Sequence, residues 1–384
     1  MPSRVGIIGA WQTQFEASKA HQTISEMVFE ITQKVVQNAG ISWKDLDYAI
    51  TSSVDLWDGG TATNATLTEV VGAVMKPEMR VAGDGLTAAF QGLLTILSGA
   101  AEVVLVVSYS KESMGPCWGI TNWVFDPIYQ QMLGLDYLSA AALQARAFFS
   151  RYGVTEEDCA RVVVKNITAA QGNPFAQWRE KISVEKVMAS EVWASPIKAL
   201  DVAPISDGGC AVILASEKVI RERGVEPVWI LGAGRCLENH YLGERDLAEG
   251  EALHMAAQKA YGFAGIKNPG EQIDVAEISC AFSYQEILWS ELLGFYPRGQ
   301  GTRLLEKWEE GLDGKLSSIN PSGGMMAGNP LIPAGLVRLV EAFLQVKGKA
   351  QGHQVPGVKM ALAHGTDGPC GQGQCVMVIG AGEV

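Results

Sequence analysis

The chain has 384 residues, 47% of them hydrophobic and 43 of them glycine, a formal net charge of −12, a pI near 5.0 and a mean hydropathy of +0.10. Such a length and apolar content support one large core or two medium ones and exclude a disordered chain. The acidic balance argues against a general nucleic-acid-binding surface and leaves small molecules or proteins as the expected partners.

The first residues, MPSRVGIIGAWQTQF, read as a strand and lack a signal-like apolar region with a cleavage site. The apolar runs Ala88–Leu97 and Val103–Val107 are interrupted by Ser98, Gly99 and Glu102, short of the roughly 20 residues a membrane helix needs. No membrane association and a cytoplasmic location are therefore expected. The cysteines Cys117, Cys159, Cys210, Cys236, Cys280, Cys370 and Cys375 are odd in number and scattered, unlike a disulfide framework. Only Cys370 and Cys375 lie close together, so no metal is expected within this chain, and most of the thiols are expected to be buried.

Taken in order, the spacing predicts a helix over Thr23–Ala39 with Gly40 as its stop, a strand over Asp47–Ser52 and a helix over Ala62–Met75. VAGDGLTAAF then turns into a helix ending near Gly99, and AEVVLVVSY is a buried strand. Residues 113–195 break the rhythm with scattered aromatics and read as an inserted cap over a ligand cleft. DVAPISDGGCAVILAS returns to the core. Later come a helix over Glu249–Ala260, a strand-to-helix passage over Glu277–Glu286, a helix over Ala334–Val346, and two strands, Gly357–His364 and Cys375–Ile379, around a glycine-rich turn.

Two stretches repeat at a separation of about 225 residues: Val5–Ala10 with Val228–Ala233, and Ala39–Gly40–Ile41 with Ala264–Gly265–Ile266, each of the latter before a strand. That points to a duplicated α/β unit with its transition between Ala215 and Val228. The first half is expected over 1–112 and 196–220, the cap over 113–195 and the second half over 221–384.

The run SSINPSGGMMAGNPLIPAGLVR, Ser317 to Arg338, is dense in glycine and proline and reads as an active-site wall. It resembles the glycine-histidine-proline loop of thiolases, with Asn329 at the histidine. SDGGCAVILAS at Ser206–Ser216, INPSGG at Ile319–Gly324 and VPGVKMALAHG at Val355–Gly365 extend the resemblance over nearly the whole chain, most closely to the sterol-carrier-protein-linked branch. The resemblance implies a duplicated thiolase fold, two βαβαβαββ halves layered α-β-α-β-α, with coenzyme A as substrate or product. It also implies Claisen-type bond making or breaking on a β-ketoacyl-CoA, an aryl substrate among the candidates as in the benzoylsuccinyl-CoA thiolases. A homodimer, and a small zinc-binding oligonucleotide-fold subunit, are the implied partners.

The family places a nucleophilic cysteine where a strand meets a helix N-terminus, but the matching positions here are Ala82 or, shifted by one, Gly83. Asp84 is the polar residue left there, as a helix cap or a proton acceptor. Asn329 can donate to an oxyanion but cannot transfer a proton near neutral pH. Cys280 stands where the branch carries a histidine motif, and Tyr284 lies on the turn that follows; each is a catalytic candidate or a core residue. His364 is the general-base candidate, with Cys370 and Asp367 in the same turn as substitutes. Ser322, Gly323, Gly324 and Gly328 are expected to let the backbone approach coenzyme A. A retro-aldol lyase acting on a β-hydroxyacyl-CoA and a noncatalytic acyl-CoA-binding subunit are the alternatives.

Overall fold

The computed structural model describes residues 4–58, 63–115, 117–309 and 318–382. Ala62 and Ser317, at the heads of the expected second helix and of the glycine-rich run, lie outside the described residues, as do Glu383 and Val384.

In the first half the β-branched runs and glycine-punctuated helices become β1 (Val5–Gln12), α1 (Ile24–Asn38), β2 (Tyr48–Ser52), β3 (Glu78–Val81), α2 (Gly85–Leu97) and β4 (Val103–Lys111). Helix α1 starts on a capping box, Thr23 with Glu26, which satisfies backbone donors the helix cannot satisfy itself. The helices α3 (Tyr137–Tyr152) and α4 (Glu156–Ala170) follow before β5 (Asp207–Ser216) closes the half. The second half runs β6 (Val228–Leu237), α5 (Glu251–Ala264), β7 (Val275–Ile278), α6 (Ser283–Leu292), β8 (Ser318–Ile319), α7 (Ala334–Val346), β9 (Met360–Asp367) and β10 (Gly373–Gly380).

The strands join in the order β8-β7-β9-β10-β6-β1-β5-β4-β2-β3. Outward from the β1/β6 seam, both halves read first, fifth, fourth, second, third strand. Both have the same sense, antiparallel for the two inner pairings and parallel for the two outer ones. The seam itself is short, Gly6 opposite Trp229 and Ile7 opposite Val228. The two segments whose sequences repeat are thus neighbours across it.

Three apolar clusters set the layers. One lies between α1 and the outer face of the first half-sheet, through Ile31, Val35 and Leu105. A second fills the middle, where α2 and α7 meet between the half-sheets through Leu86, Leu93, Leu336 and Leu339. The third joins α5, α6 and α3 on the outer face of the second half-sheet. Each fully buried leucine of the middle layer contributes about 1.5–3 kcal/mol by removal from water.

Two expectations need correction. The helix expected over 62–75 covers only Thr63–Leu67 among the described residues. Gly72, at φ +68°, and Met75, at φ +58° and 99% exposed, turn the chain away from helical geometry instead. The strand carrying His364 also runs on to Asp367, because His364 to Asp367 pair with Val376 to Gly373, and the turn is confined to the residues between.

Candidate active site

The chain enters α2 through Ala82 and Gly83, and Asp84 is the N-cap. Asp84 Oδ1 accepts the Leu86 N–H at 2.8 Å, and Oδ2 accepts the Gly335 N–H at 2.7 Å. One carboxylate therefore caps its own helix and also the first turn of α7, where the positive ends of both helix dipoles converge. Gly335 and Gly365 leave the room for it, since a Cβ on either would stand 2.0 or 2.1 Å from Oδ1. Asp367 accepts the Asp84 N–H and, at 3.0 Å, the Thr87 hydroxyl, with Arg235 at 3.8 Å. Burial, reinforced by the Asp367 charge, holds the Asp84 carboxyl well above its ordinary range, and burial raises Asp367 as well. Two neighbouring carboxyls of this kind favour keeping a proton between them.

Asn329 is held by α7. Arg338, 2% exposed, donates from Nη2 to Asn329 Oδ1 at 2.9 Å and from Nη1 to Glu277 Oε2 at 2.7 Å and Ser322 Oγ at 2.8 Å. Ser322 in turn donates its N–H and hydroxyl to Glu277. Because the guanidinium has no acceptor, the Asn329 oxygen must face it and the amide nitrogen must face the other way. That nitrogen donates to Pro330 O at 3.2 Å, leaving its second hydrogen for a ligand. Burial pushes the Glu277 carboxyl up despite the Arg338 charge beside it.

Asn329 lines a small cavity of about 30 Å³ with Phe282, Val202, Leu331, Trp57 and Tyr137 on its walls. Most of the wall is apolar, and Glu112, on the same wall, is occupied by the N–H groups of Leu331 (2.7 Å) and Ser206 (3.1 Å). The lining is apolar in character, with polar contacts at a few points only.

The other sequence candidates lie elsewhere. His364 is fully buried against Trp289, its Nε2 2.6 Å from Gln374 Oε1, and it does not line the cavity. Nε2 is thus the protonated nitrogen, Nδ1 has no partner among the described residues, and burial pushes the pKa down to about 4. Tyr284 donates to Gln144 Oε1 at 2.8 Å, and Gln144 reaches the Cys370 carbonyl at 3.3 Å. The Cys370 thiol points at Ala140 O and is pushed up to about 12 by burial, while burial raises Cys280 well above its usual range. Neither is a ready thiolate. Ser322 to Asn329 are all buried. The open sides of Gly323 and Gly328 meet Ala170 and Gln177, and that of Gly324 meets Asn320. Their close approach is to protein.

The depressed His364 gives a testable pH dependence. The unfolded imidazole takes a proton below pH 6.5 and the folded one only near pH 4, so its contribution to stability is complete above 6.5 and is lost on acidification. From pH 7 to pH 5 the loss is roughly 2 kcal/mol. Urea denaturation of the wild type and of His364→Gln at both pH values should show the variant's pH slope flatter by that amount.

Arg338, Glu277, Trp57 and Tyr137 were not singled out as site residues by sequence, whereas Asp367 was, as a substitute for His364. The signal for Arg338 was present, as a cation on the apolar helix after the glycine-rich loop. Among the described residues no group of three or more His, Cys, Asp or Glu could hold a metal ion, and no helix is long and apolar enough to cross a membrane.

Residues 234–381 match the family described as thiolase C-terminal domain-like. The acetyl-CoA acetyltransferase of Methanothermobacter thermautotrophicus is 31% identical over 376 residues, covering 96% of this chain and 97% of that one. The benzoylsuccinyl-CoA thiolase subunit BbsB of Thauera aromatica is 31% identical over 275 residues, 71% of each chain. Among solved structures, the Ltp2-ChsH2(DUF35) aldolase superposes with a TM-score of 0.83 at 24% identity, covering 98% of each chain, a likeness of fold.

Proposed function

This chain belongs to the thiolase family, and we propose that it carries the family's acyl-CoA chemistry through direct transfer, without an acyl-enzyme. The observation that supports this reading is Asp84. At the helix start where the family keeps its nucleophile, the chain has Ala82, Gly83 and a carboxylate already bonded to the amides of both central helices. The thiol bonded to this helix start, Cys375, is buried beneath it with its Sγ 3.8 Å from Leu86 O, and burial raises it far from thiolate formation.

In the degradative direction the sulfur of free coenzyme A bonds to the β-carbonyl carbon of a β-ketoacyl-CoA and the bond between the α and β carbons breaks. The electron pair passes into a thioester enolate, and the proton lost by the thiol ends on the enolate carbon. Asn329 Nδ2 holds the enolate oxygen. The Asp84–Asp367 pair, raised by burial, is the proposed proton reservoir, and the buried His364, Cys370, Cys280 and Tyr284 belong to the walls that keep water out. Ser322, Gly323, Gly324 and Gly328 act by framing the loop that presents Asn329. Without a covalent intermediate, catalysis rests on positioning two substrates at once. The apolar cavity favours an aryl or branched acyl group.

A homodimer, and a small zinc-binding subunit with an oligonucleotide fold, belong to the same proposal. The exposed apolar run Trp123, Ile128, Tyr129, Met132 and Leu133 supports a covered surface near α3.

The test incubates the protein with coenzyme A and acetoacetyl-CoA or 3-oxo-3-phenylpropionyl-CoA, following free thiol and the intact mass of the protein. The expected result is consumption of free thiol, with two molecules of acetyl-CoA formed from acetoacetyl-CoA or one each of benzoyl-CoA and acetyl-CoA from the phenyl substrate, and no acyl adduct at any time. An adduct mapping to a cysteine overturns direct transfer. The missing nucleophile also suits the second reading, a retro-aldol lyase. Release of an aldehyde or ketone from a β-hydroxyacyl-CoA with no change in free thiol selects it.

A further inference from the structure

The proposed reaction develops negative charge on two oxygens, that of the thioester enolate and that of the β-carbonyl under attack. Asn329 supplies a donor for one. Helix-terminal amides are a common source of the other, but the Leu86 and Gly335 amides are both taken by Asp84. A side chain on the cavity wall is then the place to look for the second donor. Glu112 accepts, Phe282 and Leu331 have nothing to give, and the groups with a free hydrogen among the described residues are the Trp57 indole and the Tyr137 hydroxyl.

We propose that Tyr137 is a catalytic residue whose hydroxyl donates to the β-oxygen of the substrate, which makes this a site for β-oxygenated acyl thioesters rather than for acyl-CoA in general. This rests on the reading of the site given above. Tyr137 opens α3, its backbone N–H fixed to Thr121 Oγ1 at 3.2 Å, and its ring is gripped on two sides, 6.3 Å from Trp57 and 6.4 Å, edge-on, from Phe125. The hydroxyl has no protein partner among the described residues, although the ring is half-buried. A half-buried phenol whose hydroxyl has no partner among those residues is open to a ligand at the cavity wall. Burial, with the charges of Asp367 and Cys370 close by, raises its pKa, so it stays protonated and acts as a donor. Sequence spacing could not show this, because Tyr137 lies in the cap, more than two hundred residues from Asp367.

Tyr137→Phe keeps the ring and removes only the hydroxyl, so its thermal melting should match the wild type. With acetoacetyl-CoA and 3-oxo-3-phenylpropionyl-CoA as probes, kcat should fall about 100-fold, as for loss of one oxyanion donor, with KM within about threefold. Binding of butyryl-CoA, which has no β-oxygen, should be unchanged by calorimetry. Two results overturn the proposal: kcat retained within threefold, or butyryl-CoA binding weakened in step with kcat/KM, as a merely shape-supporting ring would cause. If the wild type turns over neither probe, the direct-transfer reading falls, and the assignment of Tyr137 falls with it.

Discussion

Arg338→Met should destabilise the protein by about 3–5 kcal/mol, the usual result of removing one partner from a buried, hydrogen-bonded charge pair. Methionine fills much of the same space, so the loss comes from what the guanidinium leaves behind. Glu277, fully buried, keeps Ser322 but loses the guanidinium at 2.7 Å. Its carboxyl, already raised by burial, then rises further and takes a proton in the folded state. The destabilisation should therefore grow with pH above the ordinary carboxylate range and shrink on acidification. Urea titrations at pH 5 and pH 8 check both the size and the sign. A double change, Arg338→Met with Glu277→Gln, should recover part of the loss, since an uncharged amide tolerates the apolar neighbour better. Equal destabilisation at both pH values, with no recovery, would mean that the pair matters only as packing.

The second large effect is on rate. Asn329→Ala should lower kcat by about two to three orders of magnitude, the cost of one preorganised donor facing a developing oxyanion. Stability should change little in comparison, because Arg338 keeps Glu277 and Ser322 after losing Asn329. Asn329→Asp is the sharper variant. It is nearly isosteric and keeps an oxygen for Arg338, yet presents a second acceptor where the substrate needs a donor. Its kcat should be at least as low as that of alanine, while coenzyme A binding stays near the wild-type level by calorimetry. The rate effects of Asn329 and Arg338 should not add, because one acts by aiming the other.

Much of the fold was legible because it rests on local signals. The β-branched runs, the Thr23 start of α1, and the two glycine-marked helix ends lie within a few residues of what they determine. The expected boundaries of α7 match, Ala334 to Val346. The middle of the first half was less legible, because the apolar spacing of 62–75 fits a helix until Gly72 and Met75 take left-handed backbone angles. Asp84 could be read as a cap from its place before Gly85, but nothing local announces that its second oxygen serves Gly335, 251 residues on. The same holds for Arg338 with Glu277, 61 residues apart, and for Tyr137, whose ring packs against Trp57, 80 residues before it, and feels the charge of Asp367. His364 was recognisable as a histidine near functional motifs. Its burial, and hence its weakness as a base, was set by the β9–β10 pairing and by Trp289, neither of which its own segment encodes.

The cap shared by α2 and α7 bears on the history of the two halves. Helix α2 begins on its own Asp84, whereas α7 begins on Pro333, which supplies no side-chain bond, and takes its carboxylate from the opposite half. A duplication starts from two equivalent helix beginnings, hence two equivalent places where chemistry can arise. Here one half has surrendered its own stop and leans on the other's. Neither half can be severed, swapped or allowed to drift alone without stripping a helix of its anchor. A pseudo-twofold molecule thereby ends with a single shared carboxylate cap, positioned where the symmetry fails.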